Sequence, residues 1–316
     1  MVDRYKALLQ TFLPVIVLVL LVLLIGGYDP TFFAASNLLS VTADTMTLFL
    51  MASGVTLVIM MGGIDLSVQA VASMTSCILA AYLPRYGIFA IPLAVLGGAV
   101  AGFAGGFVST RLRIPSFIAT LAVSGVVISA GYWFSDTRSV NIPAELRDSY
   151  LGWAVGDTLG IPREIWVGAV FLIILSAILQ LTPFGRLVRG IGAQERAVMA
   201  SGIDVNRIKI MAFTLSGTMA GIAGIVMAAR LGSGSPTLAS EFLLPAIAAI
   251  VVGGTAITGG VGSIWRSFVG ALIVQVVRIG MTFMGVSVFA QQIVFGFILV
   301  AAVAITMDRS KVLVIK

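Results

Sequence analysis

The sequence predicts an all-α polytopic membrane protein, with about ten transmembrane helices and both termini in the cytoplasm. Three observations carry that expectation. Only 10% of its 316 residues are charged and 59% are hydrophobic, where a soluble domain carries about 25% charged residues. Long apolar runs recur along the chain, its mean hydropathy is +1.11, and none of the runs alternates as barrel strands do. One stretch, residues 183–209, interrupts them with five basic residues, Arg186, Arg189, Arg196, Arg207 and Lys209.

In chain order the apolar segments run roughly over 12–27, 46–61, 66–83, 88–108, 114–134, 165–181, 210–229, 242–258, 267–284 and 286–306. Several fall short of the ~20 residues that a perpendicular helix needs. Short, glycine-interrupted spans predict discontinuous helices. The first segment follows Arg4 and Lys6 and mimics a signal peptide, with Ala34-Ala35-Ser36 as the cleavage candidate. The expectation is a retained first helix, because its removal reverses the charge pattern that follows.

With the N-terminus inside, thirteen of the 19 Lys and Arg fall on inner segments: Arg4, Lys6, Arg111, Arg113, the five of 183–209, Arg266, Arg309, Lys311 and Lys316. Six fall on outer ones: Arg85, Arg138, Arg147, Arg163, Arg230 and Arg278. That is the positive-inside bias. The long outer loop, 135–164, also carries acids, and reads equally as a landing surface for an extracytoplasmic partner or as an ordinary solvated loop. Gly98, Gly102 and Gly106 form one small-residue stripe, and Gly217 with Gly221 another. Both predict close helix packing within one subunit.

Much chemistry is missing. The chain has one cysteine, Cys77, and no histidine, which excludes an internal disulfide and predicts no metal site. No lysine follows a glycine in a phosphate-binding loop, and no nucleophile–base pair is evident. The expectation is a chain with no catalytic residues and no cofactor of its own. The net charge of +6 reads as span-end orientation, with no nucleic-acid partner.

Two segments echo each other: 58–67, with Gly62 and Gly63, and 249–258, with Gly253 and Gly254, each with a hydroxyl residue four positions after its second glycine. The second continues through Gly259, Gly260 and Gly262. Paired glycine-interrupted segments point to a transport pathway. A pair of tight cytoplasmic turns fits them equally well.

Residues 183–209 predict a cytoplasmic element. A short helix over 194–201 would present Glu195 and Arg196 as polar contacts and Val198 and Met199 as apolar ones. Gly192 and Gly202 would punctuate it, and Gln194 begins it. Such a helix can seat in a partner's cleft, or serve as a solvated amphipathic connector. For a polar solute's path, the candidates in or near spans are Asp65, Ser67, Gln69, Ser116, Thr120, Thr255, Thr258, Gln275, Gln291 and Gln292, with Phe117 and Phe289 as aromatic faces. Each also suits helix–helix hydrogen bonding. Asp65 reads first as an N-cap for the helix starting at Leu66, and otherwise as a functional intramembrane carboxylate.

The motifs GGIDLSV (62–68), IPSFIATLA (114–122), TPFGRLVRGIGAQERAVMASGI (182–203) and GGTAITGGVGS (253–263) occur in that order. Together they resemble the ribose-type permease subunits of bacterial ABC importers, over about residues 45–308. The resemblance implies a single transmembrane permease domain over 1–316, multi-pass in the bacterial inner membrane, for a monosaccharide or related polar solute. It implies a second permease subunit, a periplasmic solute-binding protein, and a cytoplasmic ABC ATPase that binds ATP and Mg. It also makes 183–209 the coupling segment docked into that ATPase, with Gln194, Glu195, Arg196, Ala197 and Gly202 on its motif. Gln69, Trp265 and Arg266 depart from the family's small or apolar residues. The competing reading is an ion-coupled secondary transporter. That requires intramembrane acids, and only Asp65 and Asp44 come close.

Overall fold

The computed structural model describes residues 2–306, without side chains for 2–11, 288, 289, 302, 303, 305 and 306. The ring of Phe289, the charged groups of Arg4 and Lys6, and the whole of Arg309, Lys311 and Lys316 therefore lie outside the described residues.

Each predicted apolar segment holds a helix: α1 (Val2–Tyr28), α2 (Ala35–Met60), α3 (Val68–Tyr86), α4 (Ala90–Arg111), α5 (Ser116–Ser135), α7 (Arg163–Leu181), α9 (Val205–Leu231), α10 (Leu243–Val252), α11 (Ile264–Phe283) and α12 (Val288–Thr306). The two polar insertions hold α6 (Ala144–Leu151) and α8 (Pro183–Ala200). Six stretches among the described residues are long and apolar enough to cross a bilayer, and one of them, Val68–Arg111, contains both α3 and α4. The segment expected over 242–258 is helical only to Val252, because Gly253 and Gly254 end it.

The core centres on α2. In its spanning window 94% of the residues are buried, against 28% for α5 and 22% for α7, and its buried Thr45, Ser53 and Thr56 hydroxyls donate back to carbonyls of the same helix. α9 packs beside α2, α3 and α4. The glycine stripes face each other across the α4–α9 contact: a Cβ on Gly217 would sit 2.8 Å from Gly102 Cα, and one on Gly98 2.5 Å from the Gly217 carbonyl oxygen. With no side chain between them, the two backbones touch. Both stripes thus serve packing within the chain.

The bundle has two distinct ends. At one, α8 lies against the C-terminus of α2 and the loop after α10. At the other, α6 and two short antiparallel pairs fold the 135–164 loop: β1 (Val140–Asn141) with β4 (Ser233–Gly234), and β2 (Asp157–Thr158) with β3 (Ile161–Pro162). Arg163 staples this loop, donating to the carbonyls of Gly152 and Val155 and, through Nε, to Thr158 Oγ1 at 3.0 Å.

Candidate functional site

At the α8 end the two echoed segments share one device. α2 ends with Gly62 in the left-handed region (φ 77°), Gly62 N–H donating to Ile59 O and Gly63 N–H to Val58 O. α10 ends with Gly254 there (φ 87°), Gly254 N–H donating to Val251 O and Thr255 N–H to Ile250 O. Each is a Schellman cap, which needs a residue without a Cβ penalty at the position after the cap. The structural equivalence is therefore offset by one residue from the sequence echo: Gly62 corresponds to Gly254, not to Gly253.

The two caps meet α8 at a single point. Gly260 N–H donates to Met60 O at 2.8 Å, and Gly192 of α8 lies directly over that bond. A Cβ on Gly192 would collide with both Met60 O and Gly260 N. Gly192 was expected to punctuate a helix. It stands two residues before the break at Gln194, at this three-way backbone contact.

α8 bends at Gln194, whose backbone is extended (φ −158°, ψ 82°). The helix expected over 194–201 thus begins after Gln194 and ends at Ala200. Ser201 and Gly202 (φ 80°) close it through bonds to Ala197, Val198 and Met199 carbonyls. Asp204 caps α9 by accepting from Arg207 N–H at 3.2 Å. The second half of α8 then leans on α9, where Lys209 Nζ meets Glu195 Oε1 at 2.7 Å. Val198 packs against Gly190, whereas Arg196 and Met199 are exposed. A cavity of about 570 Å³ opens beneath, lined by Glu195, Met199, Asn206, Lys209, Arg113 and Ser116 with Gly62 and Gly63.

After its cap the chain runs back into the bundle without helix over 62–67. Its backbone donors are met by side chains of α5: Ile64 N–H donates to Ser116 Oγ (2.9 Å) and Leu66 N–H to Thr120 Oγ1 (3.0 Å). Asp65 is fully buried and accepts from Ser67 N–H (2.9 Å), Ser67 Oγ (2.6 Å) and Ser216 Oγ (2.8 Å). Its expected role as a cap for a helix starting at Leu66 is overturned. α3 starts at Val68 with Ser67 at the cap position, so the Asp65 carboxylate is too far back to reach the first helical N–H groups. It forms a local turn on Ser67 instead. A buried carboxylate needs this full set of donors.

The remaining path candidates do not converge. Gln69 is half-buried, Thr258 exposed and Phe117 47% exposed. Thr255 is buried, and among the described residues its Oγ1 meets no partner. Gln291 and Gln292 lie at the opposite end, donating to Thr282 Oγ1 (3.1 Å) and Glu241 O (3.2 Å).

That α6 end holds a second cavity, of about 420 Å³. Asp44 pairs there with Arg230 through Oδ1 and accepts from Gln275 Nε2 through Oδ2 at 3.2 Å. The Arg278 guanidinium lies 5.4 Å from the Phe242 ring centre. Sequence reasoning treated Asp44 only as a possible ion-coupling acid, and Arg230 and Arg278 only as orienting charges. The usable signal was that an acid at the edge of an apolar run requires a partner. Nothing in the spacing says which.

The family described as the permease component of the branched-chain amino acid transport system matches residues 37–303. The chain belongs to this permease family. It is 33% identical over 303 residues to the ribose import permease protein of Escherichia coli strain K12, covering 95% of this chain and 94% of that protein. It is 33% identical over 310 residues to the ribose import permease protein of Bacillus subtilis strain 168, covering 98% and 95%. The L-arabinose transport system permease protein of E. coli K12 is 39% identical over 206 residues, 65% of this chain and 61% of that one. No solved structure matches the chain. Membership makes the chain a membrane-embedded transport component and does not favour the ion-coupled reading. Asp44 and Asp65, the acids that reading needs, are already engaged by Arg230 and by hydroxyls.

Proposed function

We propose that this chain is the permease subunit of an ABC importer that carries a monosaccharide or related polar solute across the bacterial inner membrane. Its likeness over nearly its whole length to ribose import permeases supports the solute class. About ten helices then cross the membrane, the α8 end and both termini are cytoplasmic, and the α6 end is periplasmic. The partners are a cytoplasmic ABC ATPase, which binds ATP and Mg, a periplasmic binding protein on the α6 face, and a second permease subunit.

The observation that carries the mechanism is the contact of Gly192 with Met60 and Gly260. The ATPase seats against the exposed side of α8 beyond Gln194, with Glu195, Arg196 and Met199 in reach. When the ATPase closes, the part of α8 beyond Gln194 is displaced and pulls the preceding turn, which carries Gly192, with it. Because Gly192 bears directly on backbone atoms, the displacement passes to the end of α2 and to the loop after α10 without flexible side chains to absorb it. α2 is the central helix, so the whole core feels its end move.

The test is co-purification of an ATPase with the chain, and uptake that stops with vanadate and not with an ionophore. Glu195→Lys should abolish solute-coupled uptake while ATPase and permease remain assembled. Wild-type uptake by that variant removes Glu195 from the coupling role, and ionophore-sensitive uptake removes the importer reading altogether.

A further inference from the structure

From the charge balance of the α6-end cavity we infer that it is a solute station that selects for an anionic group, such as the carboxylate of a sugar acid, through Arg278. The inference rests on the importer reading and specifies its substrate class.

Three charged side chains line this cavity: Asp44, Arg230 and Arg278. Both oxygens of Asp44 are engaged away from Arg278, one by Arg230 and the other by Gln275. Arg230 is neutralised by the same pair. Arg278 meets no carboxylate among the described residues, and its one strong neighbour is the face of Phe242. That leaves the cavity with one uncompensated positive charge.

A neutral polyol can accept hydrogen bonds from this guanidinium but leaves its charge unneutralised. A half-buried guanidinium held over an aromatic ring keeps its fork of N–H donors in a fixed plane. That plane matches a carboxylate edge, which accepts two parallel hydrogen bonds. Gln275 and Thr47 line the same cavity, and an amide and a hydroxyl suit the hydroxyls of the rest of the molecule. The Asp44–Arg230–Gln275 set fixes that wall.

The experiment titrates the full chain, in nanodiscs of zwitterionic lipid, with D-galacturonate, D-galactose and acetate, reading dissociation constants by saturation-transfer NMR. Galacturonate should bind about tenfold or more tightly than galactose, the worth of one charge-assisted contact, and acetate should be weaker than galacturonate. Arg278→Gln should erase the preference, and Arg278→Lys, which keeps the charge and loses the fork, should restore part of it. Unchanged galactose binding by Arg278→Gln shows that this variant is folded. Equal affinity for galactose and galacturonate overturns the inference and leaves the sugar-importer reading intact. So does a preference that survives Arg278→Gln. Acetate binding as tightly as galacturonate makes the cavity a general anion site and also overturns it. Failure of the importer reading appears elsewhere, in the missing ATPase and the vanadate test.

Discussion

The two ends of this bundle solve opposite problems with different materials. At the α8 end, backbone meets backbone: Gly192, Met60 and Gly260 leave no room for a single methyl group. At the α6 end, long polar side chains, Asp44, Arg230, Gln275 and Arg278, meet around an open cavity. The first contact is rigid and insensitive to charge, which suits transmission of force. The second is adjustable and charged, which suits brief contact with a passing solute. A contact made of glycine fails completely when enlarged, whereas a polar side-chain set degrades in steps.

That contrast can be broken at three points. The largest effect is expected from Gly192→Val, which drives a branched side chain into the Met60–Gly260 bond. Thermal unfolding in detergent should show a loss of about 1–3 kcal/mol, the usual cost of overpacking, and uptake should be lost with it. Wild-type stability and uptake would show that the junction gives way easily and transmits nothing. A smaller effect is expected from Asp44→Asn. The Asp44–Arg230 pair is about one-third exposed on each side, so solvent screening holds its worth to about 1 kcal/mol. Unfolding should shift slightly, while the cavity gains a second uncompensated cation and binds anionic probes more tightly. The smallest effect belongs to Lys209→Gln. Its partner Glu195 is 42% exposed, and such pairs contribute a few tenths of a kcal/mol. Stability should stay within error, and ATPase association should not weaken, because Glu195 is released toward the partner. A marked loss of assembly would mean that Lys209 itself is part of the docking surface.

Much of the helical framework was legible because bilayer and core impose the same demand on composition. Every apolar run became a helix, and the polar interruptions at 135–164 and 183–209 became the two specialised ends. The glycine stripes were legible too, since a spacing of four residues puts small residues on one helix face. The site was less so. The bend of α8 at Gln194 follows from how its two halves pack on α2 and α9, and Gln194 carries no local signal for it. The echo marked both glycine pairs as a pathway break or a tight turn without deciding between them, and which glycine of each pair takes the left-handed conformation depends on where the helix ends. Asp65 looked like a cap because the carboxylate precedes a helix, but Leu66 and Ser67 intervene before α3 begins at Val68, and Ser67 holds the cap position.

The amino-acid order alone determined the solvent of each segment, because hydrophobicity and glycine spacing are local properties that any neighbour must accommodate. Tertiary structure alone decided which distant groups meet. Asp44 finds Arg230, Asp65 finds Ser216, and Gly192 finds Met60 and Gly260, at separations over which no sequence period persists. Each of those meetings is settled by helix packing, since a buried charge or bare backbone accepts whatever partner the bundle delivers and costs too much to leave alone.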